Sequence, residues 1–345
     1  MKRILILERI AKTTTPLIIA TVVFLVAILL SGCSKPDSSI TVYTALEVEQ
    51  VDRYLELWKQ KHPNIRVNIV RESTGIITSR LLAEGANTSA DLVWGTAVTS
   101  LLVLEDSNML EPYAPTGLNR IQPMFRDDAN VPTWVGITAW ELAIIVNTVL
   151  AEQMRLPEIR SYQDLLKPEF RGQVIMSNPS SSGTGFLAIS GLIQAWGEEA
   201  AFAYLDKLHL NIAQYLHSGS RPARMAGSGE FAVGISYGYA GVNVLKNNFP
   251  VKIIFPEEGS GWDVEANSLI KRKNIKPEAK LFLDWAISDE VMALMSEDYA
   301  IISTGGGSIP TGYLRNPMDQ LLPNDFKWAA KNRDRILTEW QRRYE

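Results

Sequence analysis

The chain has 345 residues and is mildly acidic, with 34 basic against 38 acidic side chains. This length predicts more than one domain, and a hydrophobic fraction of 46% is enough to build sizeable cores. No basic stripe and no run of lysine or arginine occurs, so the composition argues against a nucleic-acid partner.

The first 33 residues are typical of an exported lipoprotein. Basic residues precede an apolar stretch over 17–30, which is short for a membrane span. The sequence "LSGC" then ends at Cys33, the only cysteine, and resembles a lipobox, in which the cysteine becomes the lipidated first residue. An uncleaved anchor is the alternative, and both interpretations place the rest of the chain outside the cytoplasm. A lipidated Cys33 leaves no thiol for disulfides, metal ligation or nucleophilic catalysis.

Strand and helix patterns alternate after a polar linker over 34–39. In the first half, strands are predicted at 40–45, 65–70 and 90–95, and helices at 48–62, 73–86 and 99–110. In the second half, strands are predicted at 140–148, 231–239, 251–256 and 265–272, with helices at 186–196, 198–208 and 277–288 and from 324 onward. Such alternation indicates an α/β fold in each half, with a cleft between the two lobes as the ligand site.

Two segments combine hydroxyls and glycines at a predicted helix start. In "NPSSSGTGF" these are Ser181, Ser182, Gly183 and Thr184, and in "STGIITSRLLAE" they are Ser73, Thr74 and Gly75. Helix N-termini offer free N–H groups and a favourable dipole to an anion. Ordinary helix capping by serine is the alternative for each segment. We expect the two starts to face one anion across the cleft.

Catalytic motifs are missing from the sequence. It has three histidines, without metal-ligand spacing, no Gly-x-Ser-x-Gly elbow, and no Gly-Lys-Ser/Thr ending of a nucleotide-binding loop. These absences weigh against a metal site and against hydrolase chemistry, although any two acids can meet in a fold as a catalytic pair; we expect no metal, no cofactor and no enzymatic activity.

The order of "ITVYTALE", "STG", "ADLVWG", "SSSGTGF", "GEFAVGISYGYAG" and "GWDVEANSLI" behind a lipobox resembles the extracytoplasmic solute-binding proteins of ABC importers. The resemblance is to the ferric-iron-binding group and, within it, to 2-aminoethylphosphonate-binding proteins, and it covers residues 40–345. It implies a two-lobed, type II periplasmic-binding-protein fold with crossover strands between the lobes. It also implies a permease partner and a monomeric protein anchored to a membrane by its lipid.

Departures from the iron-binding pattern favour an organic anion. Glu47 stands where that group has a histidine, Thr96 where it often has an acid, and Tyr239 is followed by alanine instead of a second tyrosine. The resemblance therefore implies a phosphonate held by the two helix starts, with an ammonium facing Glu47. Asp263 and Glu265 are the next candidates for the ammonium, while Tyr239 and Ser218 are candidates for further contacts.

The predicted organisation follows from these assignments. A signal peptide occupies 1–33 and a linker 34–39; lobe one comprises 40–138 with about 260–305, and lobe two 139–259 with about 306–345. The predicted function is capture of a small phosphonate, 2-aminoethylphosphonate being the best candidate, for delivery to an ABC permease. A receptor for ferric iron, inorganic phosphate or a phosphate ester is the first alternative. A secreted phosphonate or phosphate-ester hydrolase is a disfavoured second alternative.

Overall fold

A computed structural model describes residues 38–313 and 316–345. The predicted signal peptide and Cys33 lie outside the described residues. None of the helices in the described ranges is long and apolar enough to cross a membrane.

The strands form two sheet halves that share two long central strands. Their order is β2-β1-β3-β10-β5-β8-β6-β7, with β4 paired to β10 and β9 paired to β5. The strands are β1 (Ser38–Thr44), β2 (Ile65–Arg71), β3 (Leu92–Ala97), β4 (Leu110–Glu111), β5 (Val135–Asn147), β6 (Val174–Ser177), β7 (Ile212–Leu216), β8 (Val233–Tyr237), β9 (Val251–Ile254) and β10 (Trp262–Ile270).

Helices connect and flank these strands, as alternating patterns predict. They are α1 (Val48–Lys61), α2 (Thr74–Glu84), α3 (Val98–Asp106), α4 (Thr148–Gln153), α5 (Gly183–Trp196), α6 (Glu198–His209), α7 (Arg221–Ser228), α8 (Gly238–Lys246), α9 (Pro277–Ala286), α10 (Asp289–Met295) and α11 (Phe326–Tyr344). The predicted α/β class and the two-lobed type II architecture are confirmed.

The crossover between the two halves is built by β5 and β10. The first part of β5 pairs antiparallel with β10, and its last part pairs with β8 and β9. All of β5 is buried, because it is covered on both faces where the halves meet. We call the side containing β1, β2 and β3 lobe one, and the side containing β6, β7 and β8 lobe two.

Two details of the predicted organisation differ from the structure. Strand β1 begins at Ser38, inside the predicted linker, because Ser38 and Ser39 extend the parallel pairing with β2. The C-terminal helix α11 packs against both α3 and α5. It therefore contacts helices of both lobes, whereas the sequence placed the segment in lobe two.

Aromatic side chains fill the core of lobe one. Trp94, on β3, is fully buried and meets Phe282 and Trp285 at centroid separations of 5.3 and 5.8 Å. Trp58 from α1 completes the cluster against the same two rings. Such aromatic packing gives lobe one a rigid base for the loops at the carboxyl ends of its strands.

Candidate functional site

A polar cavity lies where the carboxyl ends of the parallel strands of both lobes meet. Its volume is about 40 Å³. This is the position at which open α/β sheets bind ligands. The lining residues are Ala45, Glu47, Arg71, Ser73, Thr74, Gly95, Ala97 and Glu265 from lobe one and its crossover strand, with Trp140, Ser182, Gly183, Thr184, Gly219 and Tyr237 on the other side.

The two predicted helix starts face each other in this cavity. Ser73 and Ser182 are the N-cap residues of α2 and α5. The backbone N–H groups of Thr74, Gly183 and Thr184 make no hydrogen bond to any part of the chain that the structure describes. Two positive helix ends directed at one small space favour an anion between them.

Close backbone packing holds the two starts together. The Gly75 N–H donates to the carbonyl of Ser181 at 3.1 Å, which links lobe one to lobe two. A Cβ atom on Gly183 would lie 3.0 Å from Oγ1 of Thr74, and one on Gly219 would lie 2.5 Å from Oγ1 of Thr184. A Cβ on Gly75 would lie 2.4 Å from the backbone oxygen of Ser180, so glycine is needed at 75, while positions 183 and 219 are tightly packed.

Helix capping explains the position of the Ser182 hydroxyl but not those of Ser73 and Thr184. The Ser182 hydroxyl accepts a hydrogen bond from the Gly185 N–H at 3.4 Å, so it caps α5. The Ser73 side chain makes no capping hydrogen bond with α2. Thr184 lines the cavity and is largely buried. Both interpretations of these motifs therefore have a structural basis, capping at Ser182 and a hydroxyl-lined cavity at Ser73 and Thr184.

Glu47 lies at the cavity wall and is surrounded by donors. Its Oε2 lies 2.9 Å from Nη2 of Arg71 and 3.7 Å from Nη1 of Arg224. The Tyr237 hydroxyl donates to its Oε1 at 3.0 Å. Arg224 and Tyr237 come from lobe two, so Glu47 joins the lobes. Because two guanidinium groups already face this carboxylate, its surroundings do not favour the predicted role of binding the ammonium group of a ligand.

Of the other two predicted acids, Glu265 faces the cavity and Asp263 does not. Glu265 lines the cavity, and its Oε2 accepts a hydrogen bond from the Thr138 hydroxyl at 2.6 Å. Asp263 lies behind the wall, where it accepts from the Thr99 hydroxyl at 2.6 Å and from the Val264 N–H at 2.7 Å. Glu265 forms no ion pair with the described part of the chain.

Burial dominates the electrostatics of both acids. Burial is the main reason why the pKa of Glu265 is raised to about 7. Hydrogen bonds from Thr138 and Tyr299 lower this pKa, while the nearby charges of Glu47 and Asp263 raise it. Burial also raises the pKa of Asp263 to about 7. A carboxylate desolvated in this way gains most from a cationic ligand group placed beside it.

Tyr237 occupies the position expected of Tyr239. Tyr237 ends β8 and lines the cavity, whereas the Tyr239 ring stacks on Tyr299 at a centroid distance of 5.3 Å. Burial and the nearby Glu47 raise the pKa of Tyr237 well above its ordinary value. The phenol is therefore a hydrogen-bond donor and a poor source of phenolate.

Four further predicted residues lie outside the lining, and one of them is Gly75, whose N–H bonds to the Ser181 carbonyl. Thr96 lies between the lining residues Gly95 and Ala97, and its buried hydroxyl has no hydrogen-bond partner in the described part of the chain. The Ser181 hydroxyl donates to the carbonyl of His217, and the Ser218 hydroxyl pairs with that of Ser220.

The sequence analysis did not predict that Arg71 and Arg224 would lie beside Glu47. Arg71 is the last residue of β2, two residues before Ser73 of the "STG" segment, and Arg224 is on α7. The only available signal was the position of Arg71 at the carboxyl end of a strand, where ligand contacts concentrate. Trp140 also lines the cavity.

The fold and this site define a class of protein. Residues 87–333 match the family described as bacterial extracellular solute-binding protein. The chain belongs to this family, and it is an extracytoplasmic solute-binding protein of the kind that serves ABC importers.

Individual relatives agree with this class. An uncharacterised protein of Haemophilus influenzae is 26% identical over 93% of this chain and 95% of its own length. The periplasmic binding protein AfuA of Actinobacillus pleuropneumoniae, solved with exogenous fructose-6-phosphate bound, is 26% identical with a TM-score of 0.82, covering 89% of this chain and 99% of AfuA. Iron-bound HitA of Pseudomonas aeruginosa is 18% identical with a TM-score of 0.73, covering 89% and 99%, and shows the fold alone.

Proposed function

We propose that this protein captures a small solute carrying a phosphonate or phosphate monoester group and delivers it to an ABC permease. The observation that carries the proposal is the meeting of the α2 and α5 starts at one cavity. The N–H groups of Thr74, Gly183 and Thr184, with the hydroxyls of Ser73 and Thr184, suit the oxygens of such a group. Lobe closure buries the ligand, and we expect it to be released unchanged.

The specific ligand that we propose is 2-aminoethylphosphonate. Its ammonium needs a carboxylate, and the structure favours Glu265 over Glu47 for this role. Glu265 faces the cavity without an arginine, while Glu47 is already paired with Arg71 and Arg224. An ammonium beside Glu265 would stabilise the ionised form that burial disfavours.

A hydroxylated phosphate ester is the second candidate, and the Glu47 cluster favours it. Arginines and a carboxylate beside an anion site offer donors and an acceptor to sugar hydroxyls. AfuA, the relative solved with fructose-6-phosphate, gives this candidate further support.

Ferric iron is less well supported by the donor set. Among the described residues, no group of three or more histidine, cysteine, aspartate or glutamate side chains is placed to hold a metal ion. Tyr237 is the one tyrosine among the lining residues, and its hydroxyl is already engaged with Glu47.

A thermal-shift screen separates these candidates. The panel contains 2-aminoethylphosphonate, ethylphosphonate, fructose-6-phosphate, inorganic phosphate and ferric citrate. We expect the aminophosphonate to raise the melting temperature most, since a ligand that binds only the folded state stabilises it. Stabilisation by ferric citrate alone would contradict the proposal.

The membrane anchor is a separate proposal that rests on the sequence at Cys33. The Cys33→Ala variant should remain as an unprocessed precursor and should incorporate no labelled fatty acid. Continued labelling at the N-terminus would show that the lipobox interpretation is wrong.

A further inference from the structure

A buried arginine lies on α11, the helix that contacts both lobes. This residue is Arg333, which is only 4% exposed, and its helix packs against α3 and α5. Its guanidinium carbon lies 4.3 Å above the Phe186 ring of α5. Its Nη1 atom is buried without a hydrogen-bond partner in the described ranges. A buried charge with so little compensation is costly, and this cost indicates a role beyond packing.

The neighbours of Arg333 are the supports of the cavity wall. Phe186 is two residues after Thr184, which lines the cavity. Asp263, whose carboxylate attracts Arg333, is two residues before Glu265. Thr99, which donates to Asp263, is two residues after Ala97. Phe186, Asp263 and Thr99 thus each lie two residues along the chain from a residue that lines the cavity.

We propose that Arg333 and Asp263 set the electrostatic potential of the anion cavity from outside its lining, with Arg333 as a positioning residue that favours a bound dianion. This inference rests on the proposed function. In a water-poor interior, a charge acts on nearby groups with little screening. Burial lowers the pKa of Arg333 to about 10, so the guanidinium is charged at neutral pH. The ionised Asp263 carboxylate makes the electrostatic potential in the cavity more negative, while Arg333 makes it more positive.

Two substitutions that should change the ligand affinity in opposite directions test this inference. Affinity for ethylphosphonate is measured by calorimetry at pH 8, where most of Asp263 is ionised. Asp263→Asn keeps one of the two acceptor oxygens that face Thr99 and Val264 and removes the negative charge, so the ligand should bind several-fold more tightly. Arg333→Met keeps much of the side-chain volume and removes the positive charge, so binding should weaken by on the order of tenfold. Arg333→Lys should stay near wild type.

The double variant Asp263→Asn/Arg333→Met controls for folding, because it leaves neither buried charge without its partner. We expect it to bind more weakly than Asp263→Asn and with an affinity between those of the two single variants. If both single substitutions weaken binding alike, or neither changes it, the inference is wrong although the proposed function stands. If wild type binds no phosphonate or phosphate ester, the proposed function and this inference both fail.

Discussion

The Tyr237 hydroxyl donates a hydrogen bond to Oε1 of Glu47 at 3.0 Å, and the two residues belong to different lobes. The bond therefore forms only when the lobes are close. Tyr237→Phe should weaken ligand binding by about 1–3 kcal/mol, the range for a hydrogen bond to a charged group. Titration calorimetry measures this change. Tyr239→Phe is the matched control, since that ring stacks on Tyr299 outside the cavity. Equal losses for both variants would assign Tyr237 to general packing.

The hydroxyl of Thr184 is expected to contact the phosphonate. Thr184→Ala should cost about 1–3 kcal/mol of binding free energy, because a charged acceptor loses a donor. Ser181→Ala is the control in the same loop, as its hydroxyl is directed to the His217 carbonyl. Calorimetry should show near-wild-type affinity for the control. An unchanged affinity in Thr184→Ala would leave its hydroxyl with a structural role.

Glu265 and Glu47 can be distinguished by two ligands that differ only in the amine. Glu265→Gln should weaken 2-aminoethylphosphonate strongly and should leave ethylphosphonate equal or tighter, because only the first carries a cation. Glu47→Gln should affect both ligands by similar factors, since it alters the lobe contact. Comparing two ligands on three proteins isolates the carboxylate–ammonium interaction. A selective loss in Glu47→Gln would restore the role that the sequence predicted.

The affinity for ethylphosphonate should depend on pH through Glu265. Burial raises the pKa of Glu265 to about 7, so this side chain is neutral below that pH and repels an anion above it. The affinity of wild type relative to Glu265→Gln should fall as pH rises from 6 to 8. The ratio of the two affinities cancels the effect of the ligand's own ionisation, which is the same for both proteins. A flat ratio would show that Glu265 is remote from the phosphonate.

Folding stability should also fall as pH rises, because of Glu141. This buried side chain accepts a hydrogen bond from the Tyr313 hydroxyl at 2.8 Å, and burial raises its pKa to about 8. The folded state therefore binds the proton more tightly than the unfolded state, whose pKa is near 4.5. Stability is lost between about pH 4.5 and 8, by at most about 1.4 kcal/mol per pH unit for one group. Glu141→Gln should flatten this dependence in urea unfolding; an unchanged slope would contradict it.

Local patterns were enough to predict most of the fold, while the site was predicted only in part. Strands, helices and the two helix starts follow from periodicity and capping, which act over a few residues. The neighbours of Glu47 and the direction of each strand side chain depend on tertiary packing. This is why Tyr237 replaces Tyr239 in the lining, and why Glu265 faces the cavity while Asp263 lies behind it. Arg224 reaches Glu47 from another lobe, a contact that no local pattern encodes.

Backbone amide NMR of the ¹⁵N-labelled protein without residues 1–33, during titration with 2-aminoethylphosphonate, tests the central claim most directly. If the phosphonate lies between the two helix starts, the N–H signals of Thr74, Gly183 and Thr184 should show the largest downfield shifts, because these donors gain a charged acceptor. The signals should saturate together with the heat of binding. Saturable binding that leaves these three amides unshifted would contradict the assignment of the anion to this cavity.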